Sequence, residues 1–380
     1  MASYRIFIQL FAVLTALALS SCRNGRADLP QGGWDSAVYN SLSTLLSECG
    51  SGSPDYDPEC RPYAVFDFDN TTIINDISMT LMIYQAENLR YAFSPEKAFD
   101  AFTAWLPDLD TVMTGPGLSV REIGNDLAAD YVYLRARLDS GSALSEVREM
   151  PEYLDLRAKL MALNEGVENT FDYGTWCLWM PSLFTGMTYD ELTALTKESV
   201  DYWMSSGRIW TEEWKSPDGK AEVSVQKGLV LPGDRENLYK ALRGNGIDVY
   251  VCSASLETVV EAMACSPEYG LCVPPENVFG IRLTGERIVG GGFVPGYDQT
   301  FMDGKVACIR KLIAPRHGGK DPVLVAGDSS GDYQMLTSFE GMKLGLIFDR
   351  GSSSSLRTLI DKVQSTDGSP YAVQKVRLND

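Results

Sequence analysis

Histidine is nearly missing from this sequence: His317 is the only one in 380 residues. A lone imidazole in the turn-like stretch "APRHGGK" argues against serine or cysteine triads, which use histidine as their base. It also argues against zinc sites built from cysteine and histidine at ligand spacing. His317 itself reads as a solvated loop residue. Positive charge is scarce as well, with 33 Lys and Arg against 51 Asp and Glu, a net charge of −18. No basic block relieves that balance, so nucleic acid is disfavoured as a partner while small or cationic ligands remain open. Past the N-terminus no apolar run reaches bilayer-spanning length. At 44% hydrophobic residues there is still ample material for a buried core.

The opening "MASYRIFIQLFAVLTALALSSC" places Arg5 before an apolar stretch from Ile6 to Leu19, then small residues. That order reads as a secretory signal, and the stretch is short for a membrane span. "LSSC" resembles the lipobox of bacterial lipoproteins. The resemblance implies that residues 1–21 are removed and that Cys22 becomes a lipidated first residue. The chain would then be exported and anchored in the periplasm or cell envelope by its acyl chains. Ordinary cleavage near Cys22 is the alternative. Residues 22–61 read as a tether with a lead-in helix near Ala37 to Leu46.

The other seven cysteines are an odd set, so at least one stays unpaired. In an oxidising compartment, Cys49 with Cys60 and Cys265 with Cys272 are the pairs whose short loops could close.

Two rhythms organise the rest. From about Ser78 to Gly207 amphipathic helical segments dominate, including "SVREIGNDLAADYVYLRARL" and "TYDELTALTKESVDYWMSSG". The latter starts with a capping box, Thr188 with Glu191, and stops at Gly207. From 228 to 380 short apolar strands alternate with helices, as in "YKALRGNGIDVYVCSAS", "DPVLVAGDSSGD" and "KLGLIFD". Such alternation predicts an α/β fold with a doubly wound parallel sheet. The run "YAVFDF" must join that sheet to be buried. Residues 62–77 and 228–380 therefore form one α/β core, and 78–227 a helical insertion.

Ligands of such sheets bind at the carboxyl ends of the strands. Asp67 and Asp69, Ser253, and Asp328 with Asp332 all fall there, and Lys305 falls near a helix start. Clustered carboxylates raise one another's pKa unless a cation joins them. Mg²⁺ suits a site of few carboxylate oxygens that leaves positions for water and substrate.

The ordered set "DFDNT", "CSAS", "GK" and "GDSSGD" resembles the haloacid dehalogenase superfamily of phosphatases and phosphotransferases, over Tyr63 to about Asp349. The resemblance implies a Rossmann-like core with a helical cap and Asp67 as nucleophile. Asp69 would act as general acid and then base, Ser253 and Lys305 as phosphate ligands, and Thr71 as a support of the loop. Mg²⁺ would be held by Asp67, the carbonyl of Asp69 and Asp328, with Asp332 supporting the metal or Lys305. An insertion after the first motif matches the phosphoserine-phosphatase-like branch. There, an acid nine residues past the nucleophile, here Asp76, contacts a substrate ammonium; capping the first inserted helix is the competing role. The motif set and the export signal also resemble bacterial phosphorylcholine phosphatases. The aromatic run Tyr173, Trp176, Trp179, Tyr202, Trp203, Trp210 and Trp214 offers faces for a quaternary ammonium, or simply packing.

The function implied is Mg²⁺-dependent hydrolysis of a small phosphorylated metabolite through an aspartyl-phosphate. Transfer of the phosphoryl group to another acceptor, or ligand capture without turnover by an anchored binding protein, are the alternatives. Oligomeric state is left open.

Overall fold

A computed structural model describes residues 28–285, 289–351, 355–364 and 369–376. The signal segment and Cys22 lie outside the described residues. The described chain divides into two compact units.

The first unit takes the residues up to Ile74, then Leu231–Gly280, then Asp298 onward. It is built on a six-stranded sheet: β1 (Tyr63–Phe66), β4 (Asp248–Leu256), β5 (Val278–Ile281), β6 (Leu324–Gly327), β7 (Leu344–Asp349) and β8 (Tyr371–Lys375). In space the order is β5-β4-β1-β6-β7-β8, and β1 pairs in parallel with β4 on one side and β6 on the other. The α/β fold with its parallel sheet is thus as the alternating pattern predicts.

All four residues of β1 are buried, as are all four of β6, which is why both read as unbroken apolar runs rather than alternating ones. Helix α1 (Ser36–Cys49) packs on β7 and β8; α6 (Gly233–Gly244), α7 (Glu257–Ala264) and α8 (Asp303–Cys308) pack on β4. One face closes over Tyr63, Val65, Tyr250, Cys252, Val325 and Ile347.

Register sets the functional edge. Phe66 stands opposite Val251 and Ala326, so Asp67, the residues after Val251, and Gly327 with Asp328 all emerge together. Because β1 is where the strand order reverses, this edge is the switch point at which such sheets bind ligands.

The second unit takes Asn75–Val230 and Ile281–Tyr297. Its main helices are α2 (Ile77–Asn88), α3 (Val120–Asp139), α4 (Pro151–Thr170) and α5 (Tyr189–Met204). The capping box of Thr188 and Glu191 forms, and Ser119 with Glu122 makes a second one at the start of α3. Two features fall outside the helical reading. Residues 281–297 group with this unit although the sequence rhythm keeps 228–380 together. An antiparallel hairpin, β2 (Trp210–Lys215) with β3 (Glu222–Lys227), occupies the last part of the insertion, past the helix stop at Gly207. Its signal was there: "EVSVQK" alternates exposed and buried, and "PDG" supplies the turn.

Two further expectations are corrected. His317 is buried at 3% exposure rather than solvated. Its ring stacks on Tyr63 with centroids 4.3 Å apart, Nδ1 lies 2.7 Å from the Arg61 carbonyl, and Nε2 lies 2.8 Å from the Tyr250 hydroxyl. Both ring nitrogens are satisfied, which is what allows burial. Cys49, Cys60 and Cys265 are free thiols, so neither short-loop disulfide forms. Among the described residues no helix is long and apolar enough to cross a membrane.

Candidate active site

Asp67 leaves β1 with its backbone N–H donating to the Ala326 carbonyl at 2.9 Å, so the first residue past the strand is still held by the sheet. Its own carbonyl accepts from Thr72 Oγ1 at 2.7 Å, and that hydroxyl lies 2.7 Å from the Tyr239 hydroxyl on α6. The loop turns sharply here: Asn70 has φ +57°, a left-handed conformation that asparagine tolerates better than most residues.

Lys305 Nζ, nearly inaccessible on the short helix α8, donates to Asp67 Oδ1 at 2.6 Å and to Asp332 Oδ1 at 2.7 Å. The other oxygen of Asp332 accepts from the backbone N–H of Asp328 and Ser329, at 3.0 and 3.1 Å, and from the Ser329 hydroxyl. Asp332 is therefore committed to building the loop after β6 and to holding the ammonium. Thr71 Oγ1 donates to Asp328 Oδ1 at 3.1 Å, tying the loop after β1 to the loop after β6. Arg350, just past β7, brings Nη2 within 2.7 Å of Asp328 Oδ2, yet that oxygen receives no aligned hydrogen bond. The contact is best described as Coulombic, and it involves a guanidinium that is one-third exposed.

Asp67, Asp328 and Asp332, all buried, present oxygens within 4.8 Å of one another. Burial, then the neighbouring Asp332, pushes Asp67 up to about 7 despite Lys305. Burial, then Asp332, raises Asp328 to about 8, against the pull of Arg350. Burial alone would lower Lys305, but Asp332 and Asp67 outweigh it and hold the ammonium firmly charged. The geometry favours reading the Lys305 contacts as charged, since 2.6–2.7 Å is charge-assisted distance. Three carboxylates then face one buried ammonium and one partly exposed guanidinium. The surplus negative charge, carried on hard oxygens, fits a divalent cation such as Mg²⁺.

Asp69 is oriented separately. Its Oδ2 accepts from Ser255 Oγ at 2.7 Å and is 3.5 Å from Ser253 Oγ. Ser253, fully buried on β4, has its carbonyl held by Thr300 Oγ1 at 2.5 Å, while its hydroxyl accepts from the Ser255 N–H at 3.1 Å.

The structure thus brings Asp67, Asp69, Thr71, Ser253, Lys305, Asp328 and Asp332 to one sheet edge. Sequence reasoning missed Ser255, Thr72 with Tyr239, and Arg350. Ser255 had a signal, as the second serine of "CSAS"; Arg350 had none.

These motifs in this order on this sheet coincide with a family-level match: a model described as haloacid dehalogenase-like hydrolase covers residues 209–337. Over residues 209–337 the chain is similar to the haloacid dehalogenase-like hydrolases. The matched span contains Ser253, Lys305, Asp328 and Asp332 but begins well after Asp67. A phosphorylcholine phosphatase of Pseudomonas aeruginosa is 35% identical over 175 residues, 40% of this chain and 48% of that protein. The chain thus spans about half the length of the curated relative it matches. The crystal structure of a conserved, functionally unknown protein from Anaerococcus prevotii is 25% identical, with a TM-score of 0.81 over 93% of this chain and 99% of the other. That likeness is one of fold, and it takes in nearly the whole of both chains.

In the second unit, Asp76 caps α2, its Oδ1 accepting from the Met79 N–H at 2.8 Å. Two of the aromatic faces, Trp203 and Trp214, already have cations. Lys227 Nζ lies 5.8 Å from the Trp203 ring and 5.1 Å from Trp214, and it is paired at 2.6 Å with both Glu87 and Glu212. Arg157 covers Trp214 at 4.7 Å. Trp203 and Trp214, both buried, therefore serve an internal cation. A second carboxylate cluster in this unit, Asp126, Asp155 and Asp218, closes on Lys159 Nζ at 2.6–2.8 Å, so a lysine takes the place of an ion there.

Proposed function

We propose that this haloacid dehalogenase-like chain is a Mg²⁺-dependent phosphomonoester hydrolase that works through an aspartyl-phosphate on Asp67. One observation carries the reading: a buried carboxylate at the switch point, Asp67, is gripped at 2.6 Å by a buried ammonium while a second acid, Asp69, is held apart by serines. Two acids in such different settings suit two different tasks.

Asp67, fixed through its N–H, its carbonyl and Lys305, supplies the attacking oxygen. An oxygen of Asp67 bonds to phosphorus as the bond to the leaving oxygen breaks, and Asp69 gives that oxygen a proton. Asp69 then takes a proton from water as water attacks phosphorus, releasing phosphate and restoring Asp67. Ser253 and Lys305 offset the charge of the phosphoryl oxygens. Asp67 and Asp328, with the Asp69 carbonyl, would hold Mg²⁺, which supplies charge neutralisation at the phosphoryl group when bound. Asp332 positions Lys305 and the loop.

The substrate class follows from relatives and charge. A net charge of −18 favours ligands with a positive group, and the Pseudomonas relative is named for phosphorylcholine. A small phosphate ester with an ammonium-bearing leaving group is the first candidate. Export and anchoring through Cys22 belong to the same proposal; a Cys22→Ala chain should leave the membrane fraction.

The test is phosphate release from p-nitrophenyl phosphate and phosphorylcholine, with Mg²⁺ and with chelator. Turnover that needs Mg²⁺ and vanishes in Asp67→Asn is expected. Undiminished turnover by Asp67→Asn would overturn the reading.

A further inference from the structure

Tyr239, in the middle of α6, is buried completely and still carries a hydroxyl. That hydroxyl lies 2.7 Å from Thr72 Oγ1, and Thr72 Oγ1 lies 2.7 Å from the Asp67 carbonyl oxygen. A carbonyl only accepts, so Thr72 gives its single proton to Asp67, and Tyr239 must be the donor to Thr72. The direction is therefore fixed, from Tyr239 through Thr72 to the Asp67 peptide. Burial raises the pKa of the Tyr239 hydroxyl, so the donor stays protonated.

The same tyrosine reaches the other flank of Asp67. Its ring packs on Phe66, the residue just before, with centroids 4.7 Å apart. The Asp67 N–H is held by the Ala326 carbonyl of β6 at 2.9 Å. With the N–H tied to the sheet and the carbonyl tied to Thr72, both peptide planes beside the Asp67 Cα are fixed. Those two planes leave no soft backbone dihedral at Asp67, so they set where its side chain starts. Thr72 adds a second clip, its N–H donating to the Phe68 carbonyl at 2.9 Å, which closes the turn that carries Asp69. Hydrogen bonds in series polarise one another in a buried setting, so the Tyr239 hydroxyl strengthens the bond that Thr72 makes to Asp67.

We infer that Tyr239 and Thr72 are positioning residues for the reaction: a hydroxyl relay from α6 that holds the Asp67 peptide so that its carboxylate oxygen meets phosphorus in line. The inference rests on the proposed role of Asp67 as nucleophile. Both residues act through Asp67 rather than on the substrate. Misplacing a reacting atom by ~1 Å can cost ~10²-fold in rate, so loosening one carbonyl is enough to be read in kcat.

The test is steady-state hydrolysis of p-nitrophenyl phosphate with Mg²⁺, well below the Tm of every protein compared, using the full chain with Tyr239→Phe, Thr72→Val, both together, Thr72→Ser, or Asp67→Asn. Thr72→Val should lower kcat about tenfold and Tyr239→Phe about threefold, with KM within about twofold of wild type. The double variant should be no slower than Thr72→Val, because Tyr239 acts only through Thr72. Thr72→Ser, which keeps the hydroxyl, should recover most of kcat. Wild-type kcat in the two hydroxyl-removing variants overturns the inference, and a lowered Tm beside it would mark a packing role. A loss carried by KM, or losses that multiply in the double variant, overturns it too. Should Thr72→Val not fold, Tyr239→Phe decides, and wild-type kcat there is the overturning result. Asp67→Asn separates this inference from the reading beneath it. If that variant is inactive while the hydroxyl variants are unimpaired, the relay alone falls; if it keeps its turnover, the nucleophile falls and the relay with it.

Discussion

Ser255 donates to Asp69 at 2.7 Å, and that bond separates the second aspartate from the buried ammonium that grips the first. The two acids lie two residues apart in sequence but answer to different partners. If Asp69 moves the proton, its orientation is set by a serine two residues beyond the Ser253 position.

Ser255→Ala should therefore lower kcat by about tenfold and alter the pH profile of kcat, with little change in Tm. Asp69→Asn should lower kcat by ~10²–10⁴, the range of a lost general acid. The check is steady-state kinetics from pH 5 to 9. A Ser255→Ala enzyme with wild-type kcat and profile would remove Ser255 from the account.

Lys305 compensates two buried carboxylates at once. Lys305→Met should lower stability by about 3–5 kcal/mol, the usual cost of stranding a buried ionic partner. Because the variant leaves more negative charge at the sheet edge, added Mg²⁺ should recover part of the loss. Urea unfolding with and without Mg²⁺ measures both effects.

Arg350 lies against Asp328, a proposed metal ligand, so its positive charge opposes a divalent ion there. Removing it as Arg350→Leu should tighten Mg²⁺ binding about fivefold, the equivalent of ~1 kcal/mol for a partly exposed charge. Calorimetric titration with Mg²⁺ reads this directly. Weaker binding in the variant would show that Arg350 supports the ion rather than competing with it.

In the second unit, burial and then the adjacent Asp155 push Asp130 from 3.8 up to about 8. The folded state thus keeps the Asp130 proton after the unfolded chain has released it. Stability from this group is present in full below pH 4 and is lost as pH rises toward 8. Asp130→Asn should flatten that part of the curve. Thermal unfolding of both proteins at pH 5 and pH 8 tests it: the Tm difference, variant minus wild type, should be larger at pH 8.

Much of the site was legible because its chemistry is local. "DFDNT", "CSAS" and "GDSSGD" each follow an apolar strand, and the carboxyl ends of parallel strands share one edge, so sequence position translates into spatial position. Asp67, Ser253 and Asp328 meet for that reason. His317 was misjudged because local glycines suggest a turn. Only the folded chain brings the Arg61 carbonyl and the Tyr250 hydroxyl to its two nitrogens. The hairpin after Gly207 was obscured by its tryptophans and charges, although "EVSVQK" alternates.

Residue order along the chain determined the fold class, the helical insertion and the candidate nucleophile, since strand burial and helix periodicity are properties of neighbouring residues. Tertiary structure alone decided which charges meet. Lys305 chooses Asp67 and Asp332, Lys227 fills the space beside Trp203 and Trp214, and Arg235 lies over the Phe348 ring. Pairings of this kind depend on distances between side chains far apart in sequence, and no local pattern encodes them.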